Sequence, residues 1–121
     1  MKKVALIEDE KDLAEIYSLK LSMEGIEPII INNPSQAIEV LKNNLPDLIL
    51  LDIMMPEIDG FGLFEKIKAE DLLKDIKVFI WSNLTQKKDK ERAEKLKING
   101  YLVKSDYTPA SLATKLKNIL N

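Results

Sequence analysis

The chain has 121 residues, 45% of them apolar and 31% charged, which is one domain's worth of sequence with enough apolar side chains for its own core. It holds 18 basic and 20 acidic residues, a formal net charge of -2, so the basic excess of a nucleic-acid binder is missing, and no apolar run approaches the length of a membrane span. With no cysteine and no histidine, disulfides, zinc ribbons and Ser-His-Asp or Cys-His mechanisms are excluded, and any metal must be held by oxygen.

In chain order, short apolar runs alternate with longer amphipathic stretches, the pattern of βαβ units around a parallel sheet. The N-terminal apolar run is too short for a signal peptide, and Lys3–Ile7 reads as the first strand. A helix over Asp12–Met23 follows, with Leu13, Ile16, Tyr17, Leu19 and Lys20 around its turns and Gly25 as its stop. The second strand is Glu27–Ile31, and Asn33-Pro34 caps a second helix with Ala37, Ile38 and Leu41 on one face. Asp47–Leu51 is the third strand, and Phe61–Leu73 the third helix, burying Phe61, Phe64, Ile67 and Leu72 or Leu73. Lys77–Trp81 is the fourth strand, and Thr85–Ile98 a fourth helix, charged outside and apolar at Ala93, Leu96 and Ile98. Tyr101–Val103 is the fifth strand, and a last helix begins at Thr108-Pro109 with Leu112, Leu116, Ile119 and Leu120 as its apolar stripe. The expected unit is one domain over residues 1–121 with no effector domain, soluble and cytoplasmic.

Open parallel sheets bind ligands beyond the carboxyl ends of their strands. Glu8, Asp9 and Glu10 follow the first strand, Asp52 the third, Ser82 the fourth and Lys104 the fifth. Clustered carboxylates raise one another's pKa unless a cation joins them, and an oxygen-only set selects Mg²⁺ or Mn²⁺. Lys104 adds a compact positive charge and Ser82 a hydroxyl. Together these suit phosphoryl transfer to a carboxylate nucleophile. Taken one at a time, such residues are as readily helix caps and turn formers. Asp59-Gly60 is assigned to a turn and cap, and the bases from Lys87 to Lys97 to a solvated helix face. Gly60-Phe61-Gly62 lacks the third glycine of a dinucleotide site.

The constellation resembles the receiver domain of two-component response regulators, over essentially the whole chain. The pieces that carry the resemblance are Ile7-Glu8-Asp9-Glu10, the run from Leu50 to Gly60 around Asp52, Ile80-Trp81-Ser82-Asn83 and Gly100-Tyr101-Leu102-Val103-Lys104. It implies a (βα)5 doubly wound, flavodoxin-like (CheY-like) α/β fold, with a five-stranded parallel sheet of order 2-1-3-4-5 and helices on both faces. By the same similarity Asp52 is the phospho-acceptor, Glu8 and Asp9 bind Mg²⁺ with Asp52, and the backbone carbonyl of Met54 is a further ligand. Ser82 is the switch hydroxyl, Lys104 binds the phosphoryl group, and Tyr101 is the aromatic that changes exposure. The implied partners are a histidine kinase or phosphotransfer protein upstream, and downstream a protein or a second copy at the face of the fourth helix, fifth strand and fifth helix. Neither nucleic acid nor membrane is an expected partner.

Two positions depart from the family pattern. Ser105 stands where proline usually follows the lysine; a cis bond before a non-proline residue costs about 3 kcal/mol, so a trans peptide is expected. Asn83 stands where alanine or glycine usually follows the switch hydroxyl, narrowing access to Asp52 or offering a hydrogen bond to the phosphoryl group. Met54 and Leu84, which flank that group by similarity, are apolar and unable to orient water, so self-dephosphorylation should be slow. Asn83 and Ser105 also motivate an alternative, a receiver-fold interaction module that works without phosphorylation. A phosphatase using Asp52 is disfavoured, because Asp52-Ile53-Met54 lacks a second aspartate.

Overall fold

The computed structural model of the protein describes residues 1–55, 58–83 and 87–121. Five strands, β1 (Lys2–Ile7), β2 (Ile26–Ile31), β3 (Leu48–Leu51), β4 (Lys77–Ser82) and β5 (Gly100–Val103), form one sheet in the order β2-β1-β3-β4-β5 with every pair parallel. The helices are α1 (Lys11–Met23), α2 (Ala37–Asn44), α3 (Gly60–Ala69), α4 (Lys87–Lys95) and α5 (Pro109–Leu120). This is the flavodoxin-like (βα)5 order that the family resemblance implied.

Alternation along the strands separates two apolar layers. Ala5, Ile7, Ile49, Leu51, Val78 and Ile80 face a core shared with α2, α3 and Ala93 of α4. Val4, Leu6, Leu48, Leu50, Trp81 and Leu102 face a second core with α1 and α5. All four residues of β3 are buried, so it reads as an unbroken apolar run, as a central parallel strand covered on both faces must. In the second core Trp81 is fully buried, edge-on to Tyr17 with ring centroids 5.3 Å apart, and tilted against Tyr107 at 6.2 Å.

The helix boundaries follow local chemistry. Gly25, at φ 82°, takes the left-handed turn that ends α1. Asn33 accepts from the Ser35 N–H at 3.1 Å and starts a 3-10 turn over Pro34–Gln36 that leads into α2. Thr108 and Ser111 form a capping box at α5. Asp59 caps α3 by accepting from the Phe61 N–H at 3.1 Å, the structural role assigned to it.

Three expectations need correction. On α1 the buried residues are Ala14, Tyr17 and Leu21, so of the residues placed around its turns Tyr17 is buried while Ile16 and Leu19 are exposed, on the side away from the sheet. The third helix stops at Ala69 rather than Leu73, because Glu70 turns extended at ψ 123°. Leu73 still reaches the core from a turn, held where the Lys68 ammonium donates to the carbonyls of Lys74 and Ile76. The fourth helix ends at Lys95, short of Ile98, and Lys97 turns left-handed at φ 58°. Its expected start at Thr85 lies outside the described residues.

Candidate functional site

The sheet's carboxyl edge gathers the residues that the strand ends deliver. Hydrogen bonding continues one step past the strands there: the Glu8 N–H donates to the Ile31 carbonyl at 3.0 Å, and the Asp52 N–H to the Ile7 carbonyl at 3.1 Å. Glu8 and Asp52 are thereby fixed side by side. The Asn32 side chain donates to the Glu8 carbonyl at 2.9 Å and holds that turn from the β2 side.

Glu8 is 1% exposed, Asp52 4% and Ser82 fully buried, while Asp9 is half-buried. Lys104 sits in the 3-10 turn after β5 and reaches back over the edge. Its ammonium bonds the Glu8 carboxylate and donates to Asp52 Oδ2 at 3.0 Å. The other Asp52 oxygen accepts from the Met54 N–H at 2.8 Å, so the acceptor carboxylate is oriented at both ends. Asp9, Glu10, Asp52, Met54, Ser82, Asn83 and Lys104 line a solvent-open cavity of about 290 Å³.

The charges do not balance. Burial pushes the Glu8 carboxyl up to about 7, against the pull of the Lys104 ammonium and with the push of Asp52. Burial also opposes the Lys104 charge, but its bonds to Glu8 and Asp52 outweigh that, and its pKa rises. One lysine is too little cation for the two buried carboxylates and the half-buried Asp9 beside them. Carboxylate oxygens of Glu8, Asp9 and Asp52 lie within 4.8 Å of one another, and the buried Glu8 Oε2 has no hydrogen-bond partner among the described residues. An oxygen-only set with an unused buried oxygen fits a small hard divalent cation such as Mg²⁺.

Of the expected site residues, Glu8, Asp9, Asp52, Ser82 and Lys104 converge on this edge, and Met54 adjoins it through its N–H. Tyr101 stands apart. It is half-buried against the α2-α3-α4 core, with burial raising its hydroxyl pKa, and lines a separate cleft between α4 and β5 with Lys90, Ala93, Glu94 and Val103. The Lys104–Ser105 peptide is trans, since no cis bond occurs among the described residues. Leu84 lies outside the described residues. Sequence reasoning missed the Asn32 brace and a short antiparallel pairing of Met54–Met55 with Ile58–Asp59, of which Met54 lines the cavity. Asn32 had a signal: an amide directly after a strand that neighbours the first.

Fold and site together define a doubly wound α/β domain with an acidic, cation-fitting centre at its strand carboxyl ends. The model of the response regulator receiver domain matches residues 4–117, and the chain belongs to that family, whose domains act in phosphorylation-dependent signalling in two-component systems. Among curated relatives, the response regulator SaeR of Staphylococcus aureus is 30% identical over 120 residues, covering 99% of this chain and 51% of that protein. The phosphate regulon transcriptional regulatory protein PhoB of Pseudomonas aeruginosa is 29% identical over 119 residues, covering 98% of this chain and 52% of that protein. The chain thus spans about half the length of the curated relatives it matches. Among solved structures, the chemotaxis protein CheY4 of Vibrio cholerae superposes with a TM-score of 0.88 at 22% identity over 98% of both chains, a likeness of fold. The receiver domain of the Francisella response regulator 1452 gives 0.83 at 27% identity, over 99% of this chain and 96% of that one.

Proposed function

We propose that this domain is a phosphorylation-dependent switch that takes a phosphoryl group on Asp52 with Mg²⁺ and changes its α4, β5 and α5 face to control a partner. The convergence of Asp52 with Asp9 and Lys104 in one open cavity, with Glu8 buried beside them, carries this reading.

Met54 holds Asp52 Oδ1, so Oδ2, which rests on Lys104, is the attacking oxygen. It bonds to phosphorus as the donor's P–N bond (phosphohistidine) or P–O bond (acyl phosphate) breaks. The bonding pair leaves with the imidazole, which takes a proton from solvent, or with the carboxylate. Glu8, Asp9, Asp52 and the Met54 carbonyl would hold Mg²⁺, which when bound would neutralise phosphoryl charge. Lys104 shifts from Oδ2 to a phosphoryl oxygen, and the Ser82 hydroxyl takes another as its loop moves inward. Tyr101 then packs inward and reshapes the cleft between α4 and β5.

A histidine kinase or phosphotransfer protein is the donor, and the reader of the changed face is another protein or a second copy. The domain turns over no substrate beyond its own phosphorylation and dephosphorylation. The exposed Met54 side chain is apolar and orients no water, so the phosphorylated state should outlive a free acyl phosphate in the same buffer. The deciding experiment is intact mass after incubation with Mg²⁺ and a small acyl phosphate. The expected gain is about 80 Da, one phosphoryl group, in the wild type and none in Asp52→Asn. No gain in the wild type, or equal gain in both, ends the reading.

A further inference from the structure

Ser82 and Val103 are the last paired residues of β4 and β5. Just beyond them, Asn83 Oδ1 accepts from the backbone N–H of Ser105 at 2.8 Å. This bond joins the residue after the switch hydroxyl to the residue after the phosphoryl-binding lysine. It needs both departures from the family pattern at once: alanine or glycine at 83 offers no side-chain acceptor, and proline at 105 has no N–H.

Lys104 is a flexible stem with a point charge at its tip, so where its ammonium goes depends on how firmly its backbone is held. Ser105 lies within the 3-10 turn Lys104–Asp106, closed where the Tyr107 N–H donates to the Lys104 carbonyl at 3.2 Å. Without proline, that turn lacks a built-in restraint on φ. The Asn83 carboxamide supplies a restraint from the opposite loop. It anchors the base of Lys104 to the loop of Ser82, across the mouth of the cavity that both loops line.

We infer that Asn83 is a positioning residue, a latch that through Ser105 fixes Lys104 and Ser82 relative to each other for phosphoryl transfer to Asp52. This rests on Asp52 being the acceptor. The latch acts on the chemical step rather than on donor capture, since the Asn83 carboxamide oxygen is spent on the Ser105 N–H and acts through the backbone that carries Lys104.

The test uses the full chain with Mg²⁺ and a small acyl phosphate, following uptake by mass over a range of donor concentrations and exchange of the Ser105 amide by NMR. Asn83→Ala should lose protection at the Ser105 amide, and its maximal uptake rate should fall about tenfold, the scale expected when a catalytic group is loosely placed, with the half-saturating donor concentration nearly unchanged. Ser105→Ala keeps the N–H and should match the wild type in both readouts. An unchanged or faster rate in Asn83→Ala overturns the latch, the faster rate marking Asn83 as a steric gate. A Ser105→Ala rate as slow as that of Asn83→Ala overturns it as well. If the wild type itself gains no mass, the acceptor reading falls and takes this inference with it. If the wild type gains mass normally and Asn83→Ala keeps pace, only the latch falls.

Discussion

The two ends of the sheet use the same residue types to opposite effect. At the amino edge Lys2, Asp47, Asp75 and Lys77 are all exposed, and Asp47 accepts from the Lys3 backbone N–H at 2.8 Å in contact with water. At the carboxyl edge the side chains of Glu8, Asp52 and Lys104 are 1%, 5% and 14% exposed and bond one another. Solvated charges contribute little, and breaking a buried set leaves charge that nothing screens. The difference teaches that burial, more than the presence of lysine and aspartate, makes an edge chemically active.

The hardest blow to this contrast is removal of the buried cation. Lys104→Met should lower stability by about 3 kcal/mol at pH 8, measured by urea unfolding in metal-free buffer, because Glu8 and Asp52 are left facing each other. A loss as small as that of a surface lysine would erase the distinction between the edges. Next in size is a pH effect. The folded domain keeps the Glu8 proton up to about 7, whereas the unfolded chain releases it near the ordinary value of 4.5. Between those values the folded state binds more protons, so metal-free stability should fall as pH rises, by at most about 1.4 kcal/mol per pH unit, and level off above about 7. Glu8→Gln should flatten that slope in a series of urea midpoints; an unaltered slope would trace it to some other group. The smallest effect belongs to the amino edge. Asp47→Ala should cost about 1 kcal/mol or less, one exposed hydrogen bond, with no dependence on Mg²⁺.

Much of the fold was legible because buried parallel strands are written as apolar runs, and each ends here in the polar residue that it delivers. Asp52, Ser82 and Lys104 are each found that way. What escaped were features set by tertiary contacts. Leu72 and Leu73 extend the apolar spacing of α3, but the backbone leaves the helix at Glu70, and only packing tells the buried Leu73 from the exposed Leu72. The depth of Glu8 relative to Asp9 depends on which way the chain turns after β1, where Asn32 and Ile31 hold it. Asn83 and Ser105 were each visible as departures, but 22 positions apart nothing local joins them.

Trp81 gives the domain a built-in optical probe. It is the single indole of the chain, sealed in an apolar wall and adjoining Ser82. Its emission should lie to the blue, with Tyr17 close enough to pass excitation to it. Under the proposed function, inward movement of the Ser82 loop would tug the ring against Tyr17 and Tyr107, and Trp81 emission would then report occupancy of the acidic edge in real time with no label attached.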